Sequence, residues 1–462
     1  MYQAQPPLEF IAPKYNPQFL RLAHLLLPLW MRAQTSLTQV EAENVETLVD
    51  LYSQFQAGKI RFMLAFRHPK TDDPIALGYL FSRIVPEVAR HKGIKFTAPI
   101  HAHCIYDRGI PLWAGAHMGW ILQYLGGTPI QRGKADWTGL RSARDLFANG
   151  AFPMAAAPEG ATNGLSEIVS PLEPGISQMA FWCAEDLQKA GRTEQVVILP
   201  VGIKYSYVTE PWDAINDLLT ELEVKSGLKS EELTSSTQHS ALSTQRSLYS
   251  RLLRLAEHLL SIMESFYTKF YHCKLSTNGG AELPSDKNEA IAARLRALLD
   301  VILQVAEDFF KLQPKGSLND RCRRVEQAGW NCIFREDFKD IKTLSVVEKG
   351  LGNRAAEEAN MRMWHMRVVE SFVAVTGSYV RENPTPERFA ETLLILWEMV
   401  TRIIGSDTQR RPNLGKQKAN IIIGTPISVS DRYPEYKESR SGARLAVANL
   451  TKHLQLSLEN LI

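Results

Sequence analysis

The run ANIIIGTPISV (419–429) narrows the possible folds of this chain more than any other stretch. Its consecutive β-branched and aliphatic residues read as a buried strand, and a helical pattern, RLAVANLTKHLQLSLENLI, follows it. One strand and one helix cannot cover their own apolar faces as a separate domain, so this pair must complete a sheet begun elsewhere. Between 60 and 205, short apolar runs alternate with helical patterns in the α/β manner: IRFMLAF (60–66), AFPMAAAP (151–158) and QVVILPVGIKY (195–205). From 212 to 412 the apolar residues fall at helical spacing instead. In SDKNEAIAARLRALLDVILQVAEDFFKL these are Ile291, Leu295, Leu298, Leu299, Ile302, Ala306 and Phe309, with Ser285 at the N-cap. TPERFAETLLILWEMVTRIIG has Thr385 as cap, Pro386 at the first helical position and Gly405 as stop. The expected architecture is therefore an α/β sheet with flanking helices, interrupted by a large all-helical insertion. Its expected parts are an N-terminal helical segment (1–59), an α/β domain (60–211 with 419–462), and a helical insertion and linker (212–418).

Length and composition bound the partners. The 462 residues are 45% apolar and 22% charged, with a net charge of +3, which suits a globular protein with a sizeable core. That near-balance argues against a dedicated nucleic-acid binder and is compatible with an anionic membrane surface. Five cysteines form no CxxC pair, and MYQAQPPLEF has neither a basic start nor an apolar core. A reducing, cytoplasmic compartment is the expectation. No stretch makes a good membrane span: Gly109–Gln131 lacks charge but carries five glycines and two prolines, and Pro28 interrupts FLRLAHLLLPLWMRA (19–33). The latter reads as a buried helix in preference to one lying in a membrane interface.

The candidate chemistry begins at RHPKTDDPIAL (67–77). His68 follows a buried strand, and the carboxyl ends of strands are where α/β folds place their sites. Asp73 before Pro74 reads as a helix start with Asp as N-cap. The intervening loop can bring its carboxylate to the imidazole, one oxygen taking a backbone N–H and the other the ring. A histidine held this way keeps one nitrogen free to accept a proton, as a general base must. The bland reading is a surface histidine beside a capped helix. HAHCIYDRG (101–109) competes with His101, His103, Cys104 and Asp107, but no second cluster at ligand spacing supports a metal there, and it reads as an incidental loop. Further on, GGTPIQRGK (126–134) presents Arg132, suited to a bidentate grip on phosphate, and Lys134 adds a point charge. APEGATNG (157–164) places Glu159 and Gly160 just past a buried run, where backbone and carboxylate can approach a small polyol.

Taken in order, these stretches resemble the four motif blocks of the glycerolipid acyltransferase family, which includes lysophosphatidate and glycerol-3-phosphate acyltransferases. The first block, Asn-His-x4-Asp, is met by His68 and Asp73, with Arg67 at the asparagine position. The second is met by Gly126, Ile130 and Arg132, with Pro129 in place of phenylalanine. The third survives as Pro158, Glu159 and Gly160, and the fourth as VVILPVGIKY. LEPGISQMA (172–180) resembles the family's helix between blocks three and four, and IIIGTPISV the strand after block four. The resemblance spans about half the chain. It implies acyl transfer from coenzyme A or acyl carrier protein to a hydroxyl of a glycerol-phosphate or lysophospholipid, near a membrane surface. It also implies His68 as base, Asp73 as its orienting partner, and Arg132, Lys134, Glu159 and Gly160 around the acceptor. The acyl thioester is then a co-substrate, and no metal or other cofactor is implied. Ala161, Thr162 and Asn163 replace the family's Thr-Arg-Ser, which removes one expected phosphate contact. The rival expectation is a catalytically inactive lipid-binding or scaffold protein on the same fold.

Overall fold

The computed structural model describes residues 3–131, 136–228, 241–275, 284–375 and 377–462. In chain order its elements are α1 (Pro17–Gln34), β1 (Leu37–Glu43), α2 (Val45–Gln56), β2 (Ile60–Phe66), α3 (Asp73–Tyr79), α4 (Val85–His91) and β3 (His103–Asp107). Then come α5 (Ile110–Ala114), α6 (Ala116–Tyr124), β4 (Thr128–Ile130), α7 (Trp137–Asn149), β5 (Met154–Ala156), α8 (Gly175–Lys189) and β6 (Gln195–Tyr207). Among the described residues, seven α-helices follow: α9 (Trp212–Lys225), α10 (Ala241–Phe270), α11 (Lys287–Phe310), α12 (Leu318–Ile333), α13 (Val346–Phe372), α14 (Tyr379–Glu382) and α15 (Pro386–Ile403). The last elements are β7 (Gln417–Ile423), β8 (Ile427–Ser428), α16 (Tyr433–Glu438) and α17 (Arg440–Glu459). These form two compact units, one of residues 9–208 with 416–462 and one of residues 1–8 with 209–415.

The α/β unit is built on an eight-stranded, mostly parallel sheet in the order β1-β7-β6-β2-β5-β3-β4, with β8 beside β6. Pairing is antiparallel only where β6 meets β7 and β8. All seven residues of β2 are buried, and they alternate between two cores. Phe62, Leu64 and Phe66 join the core beneath α2, α3 and α4, whereas Met63 and Ala65 join the one beneath α7, α8 and α17. A strand covered on both faces needs apolar residues on both, which is why IRFMLAF is apolar at every position except Arg61, whose buried guanidinium donates to the carbonyls of Leu146, Phe147 and Gly150. β7 lies between β1, its parallel partner, and β6.

Several sequence expectations need correction. The N-terminal segment is not wholly helical: residues 37–43 form the edge strand β1, and residues from 9 onward belong to the α/β unit. HAHCIYDRG is not a loop, because 103–107 form β3. The helix beginning at Asp73 continues to His91, with its middle turn at Leu80–Ile84 wound as a π turn ahead of Pro86, which has no N–H for an i→i−4 bond. Nor is α1 buried. Only Leu20 and Met31 are, while Leu25 (65% exposed) and Leu29 (67%) face outward with Leu22, Leu26 and Trp30. Among the described residues no helix is long and apolar enough to cross a membrane.

In the helical unit α11 starts one residue later than expected, because Asp286 rather than Ser285 caps the N–H groups of Asn288 and Glu289. Thr385 caps α15 through Arg388 N, with Pro386 at its first position.

Candidate active site

β2, β5, β3, β4 and β6 run parallel where they pair, so their carboxyl ends share one edge of the sheet. There the backbone of Arg67 still donates to Val201 O (2.9 Å), and His68 is the first residue free of the ladder. Asp73 occupies the first turn of α3, with Asp72 rather than Asp73 at the cap position. Its carboxylate is therefore available for other partners. Oδ2 accepts from His68 Nδ1 (2.8 Å) and from Lys70 N (3.0 Å). The expected division of labour, one oxygen for the backbone and one for the ring, is replaced by a single oxygen serving both.

The other oxygen, Oδ1, accepts from the hydroxyl of Tyr205 at 2.5 Å. Tyr205 is buried on β6, and burial, then the Asp73 charge and its hydrogen bond, hold its hydroxyl protonated well above the usual tyrosine range. Sequence reasoning missed it. The available signal was its place at the end of the run QVVILPVGIKY, on the same face as Val201 and Ile203. Lys70 Nζ lies 4.4 Å from the Tyr205 ring centroid and donates to Gln417 Oε1 (2.8 Å).

Asp73 is fully buried, whereas the His68 side chain keeps 23% exposure and packs edge-on against Phe66 at 5.8 Å. With Nδ1–H donated to a carboxylate, the imidazole is held in the tautomer whose Nε2 carries the lone pair. The arrangement thus offers a proton acceptor toward solvent, backed by a buried anion that stabilises the imidazolium formed.

Glu159 follows β5, the neighbour of β2, but its carboxylate points inward. Oε1 accepts from His68 N (3.0 Å) and Arg67 Nε (3.3 Å), and Oε2 from Ser170 N (2.8 Å) and Asn163 Nδ2 (3.4 Å). Arg67, with no exposed surface, also donates to the carbonyls of Leu165 (2.9 Å), Ser166 (2.7 Å) and Ile168 (2.6 Å). A buried pair so fully hydrogen-bonded ties the His68 backbone to the 159–170 loop. Gly160 has φ +72°, a left-handed backbone conformation that favours glycine.

The structure therefore brings His68, Asp73 and Glu159 together. Arg132 and Lys134 lie outside the described residues; before them β4 ends at the same sheet edge, and Gln131 N donates to Asp136 Oδ2 (2.9 Å). In the competing stretch, His101 Nε2 bonds Leu125 O (2.8 Å) and burial pushes its pKa down to about 3. His103 Nδ1 bonds Gly126 O (2.9 Å) and is likewise lowered by burial. Among the described residues no group of His, Cys, Asp and Glu is placed to hold a metal ion. No protein-family model matches this chain, and no curated protein does.

Proposed function

We propose that this chain is an O-acyltransferase of the glycerolipid type, moving a fatty acyl group from a thioester to a hydroxyl of a glycerol-phosphate or lysophospholipid. The observation that carries the reading is the His68–Asp73 contact (2.8 Å) at the carboxyl edge of a mostly parallel sheet. The resemblance in motif order supports it. In this reading residues 212–418 are an insertion into an acyltransferase sheet, and the chain works in the cytoplasm at a membrane surface.

His68 Nε2 takes the proton from the acceptor hydroxyl as that oxygen attacks the thioester carbonyl. The carbon–sulfur bond then breaks, and the departing thiolate of coenzyme A or acyl carrier protein receives the proton from Nε2. Asp73 stabilises the intervening imidazolium, and Tyr205 holds Asp73. The thioester is already activated, so a placed base and a held acceptor supply most of the rate. Arg132 and Lys134 hold the acceptor's phosphate by charge. Glu159 acts by positioning: it fixes the His68 backbone and the loop beside Gly160, rather than offering its own carboxylate to the polyol.

The test is thioester consumption by purified full-length protein, with acyl-coenzyme A or acyl carrier protein as donor. The acceptor panel is glycerol-3-phosphate and lysophospholipids. His68→Ala is expected to lower the rate by about 10²–10⁴-fold with an unchanged circular dichroism spectrum. Wild-type rates in His68→Ala would overturn the mechanism. Absence of turnover by the wild-type chain across the panel would favour the non-catalytic lipid-binding reading.

A further inference from the structure

Two apolar stretches of the α/β unit, 19–33 and 109–131, lie far apart in the chain and meet in the fold. Phe19 on α1 packs edge-on against Trp120 on α6, with 5.1 Å between ring centroids, and tilts over Tyr124 at 5.8 Å. Just before α1, Lys14 N donates to Gln123 O (2.9 Å) and Asn16 N to Tyr124 O (2.9 Å), which ties the start of α1 to the end of α6. α5 joins them through Pro111, which occupies the space beside Gly119 on α6. A Cβ at Gly119 would stand 3.0 Å from Pro111 Cγ. The three helices thus form one surface.

What that surface turns outward is apolar. Leu112 and Trp113 (both 53% exposed) stand out from α5 and Trp120 (51%) from α6, beside the five outward residues of α1. Among the described residues of the α/β unit twelve large apolar side chains are exposed, and eight of them share these three helices. Exposed leucines scattered singly are ordinary, whereas a cluster of this kind marks a surface that something covers. Charge selects the occupant. No Asp or Glu falls between Glu9 and Glu41 or between Asp107 and Asp136, while Lys14, Arg21 and Arg32 are exposed. A symmetric dimer through this face would set the same cations against one another. An anionic bilayer attracts them, and its interfacial zone is where tryptophan is enriched.

We propose that α5 and α6, together with α1, form one face that docks on an anionic phospholipid bilayer, with Trp113 and Trp120 in its interfacial zone. The inference does not rest on acyl transfer: His68→Ala should bind vesicles as the wild type does, so loss of turnover and loss of docking are told apart. The test uses the full-length chain with vesicles of phosphatidylcholine containing phosphatidylglycerol. Sedimentation with these vesicles is expected, weakened by added salt. The same vesicles made with brominated acyl chains should quench tryptophan emission, and Trp113→Phe/Trp120→Phe should lose part of that quenching. Leu112→Ser/Trp113→Ser, which leaves Trp120 against Phe19, should weaken vesicle affinity by about tenfold or more. Any of three results would overturn the proposal: no sedimentation of the wild type, quenching unchanged in Trp113→Phe/Trp120→Phe, or wild-type affinity in Leu112→Ser/Trp113→Ser. Dimers of the free chain that this last variant dissolves, without vesicle binding, would assign the face to a second copy instead.

Discussion

Asp73 is a carboxylate with no exposed surface, tolerable only because three donors reach its two oxygens. Tyr205→Phe removes one of them and leaves Oδ1 without its tyrosyl partner, a loss of about 1–3 kcal/mol in stability. The melting temperature should fall accordingly, and an unmoved melting temperature would refute the role. His101 provides a titration. Its ordinary pKa of 6.5 is pushed down to about 3 by burial, so between those values the unfolded chain binds the proton and the folded chain does not. Stability is therefore present above pH 6.5 and lost as pH falls toward 3. Thermal melts at pH 7 and pH 5 should show the drop, and His101→Gln should reduce it. The His68–Asp73 pair was legible in the sequence because only four residues of loop separate them. Tyr205 was not, because it lies 132 positions from Asp73 and meets it only across the sheet.

At the level of single elements, α1 shows how an apolar pattern can leave the buried side undecided. Leucines surround most of this helix, and periodicity alone does not say which of them meet the core. In the structure Leu20 and Met31 pack inward, while Leu22, Leu25, Leu26, Leu29 and Trp30 form an outward apolar stripe. The segment 10–40 contains no Asp or Glu, and Arg21 and Arg32 flank the stripe. Such a face suits an anionic bilayer, where each arginine near the surface contributes about 1 kcal/mol. The full-length chain should sediment with vesicles containing phosphatidylglycerol, and Leu25→Ser/Leu29→Ser should reduce the bound fraction severalfold. Equal sedimentation of the two proteins would remove α1 from that role.

For the molecule as a whole, the residues after 415 decide whether the α/β unit can form. β7 is the strand paired with β1 and also borders β6, and α17 covers the core that contains Met63 and Phe181. A chain cut after Gly415 should therefore aggregate or lose cooperative melting, even though β2, β5 and β6 remain. A soluble, cooperatively melting product would contradict this account. That dependence was visible in ANIIIGTPISV, which cannot be stable alone. By itself the sequence determined some local features: that 60–66, 195–205 and 419–423 form strands, that helices follow Asp286 and Thr385, and that a histidine and a carboxylate fall within one short loop. These depend on periods of two and 3.6 residues and on neighbouring side chains. Tertiary structure alone decided that Tyr205 meets Asp73, that Glu159 turns inward and that α1 turns its leucines outward. Each follows from strand register or from which surfaces pack together, and those are set by contacts between residues far apart in the chain.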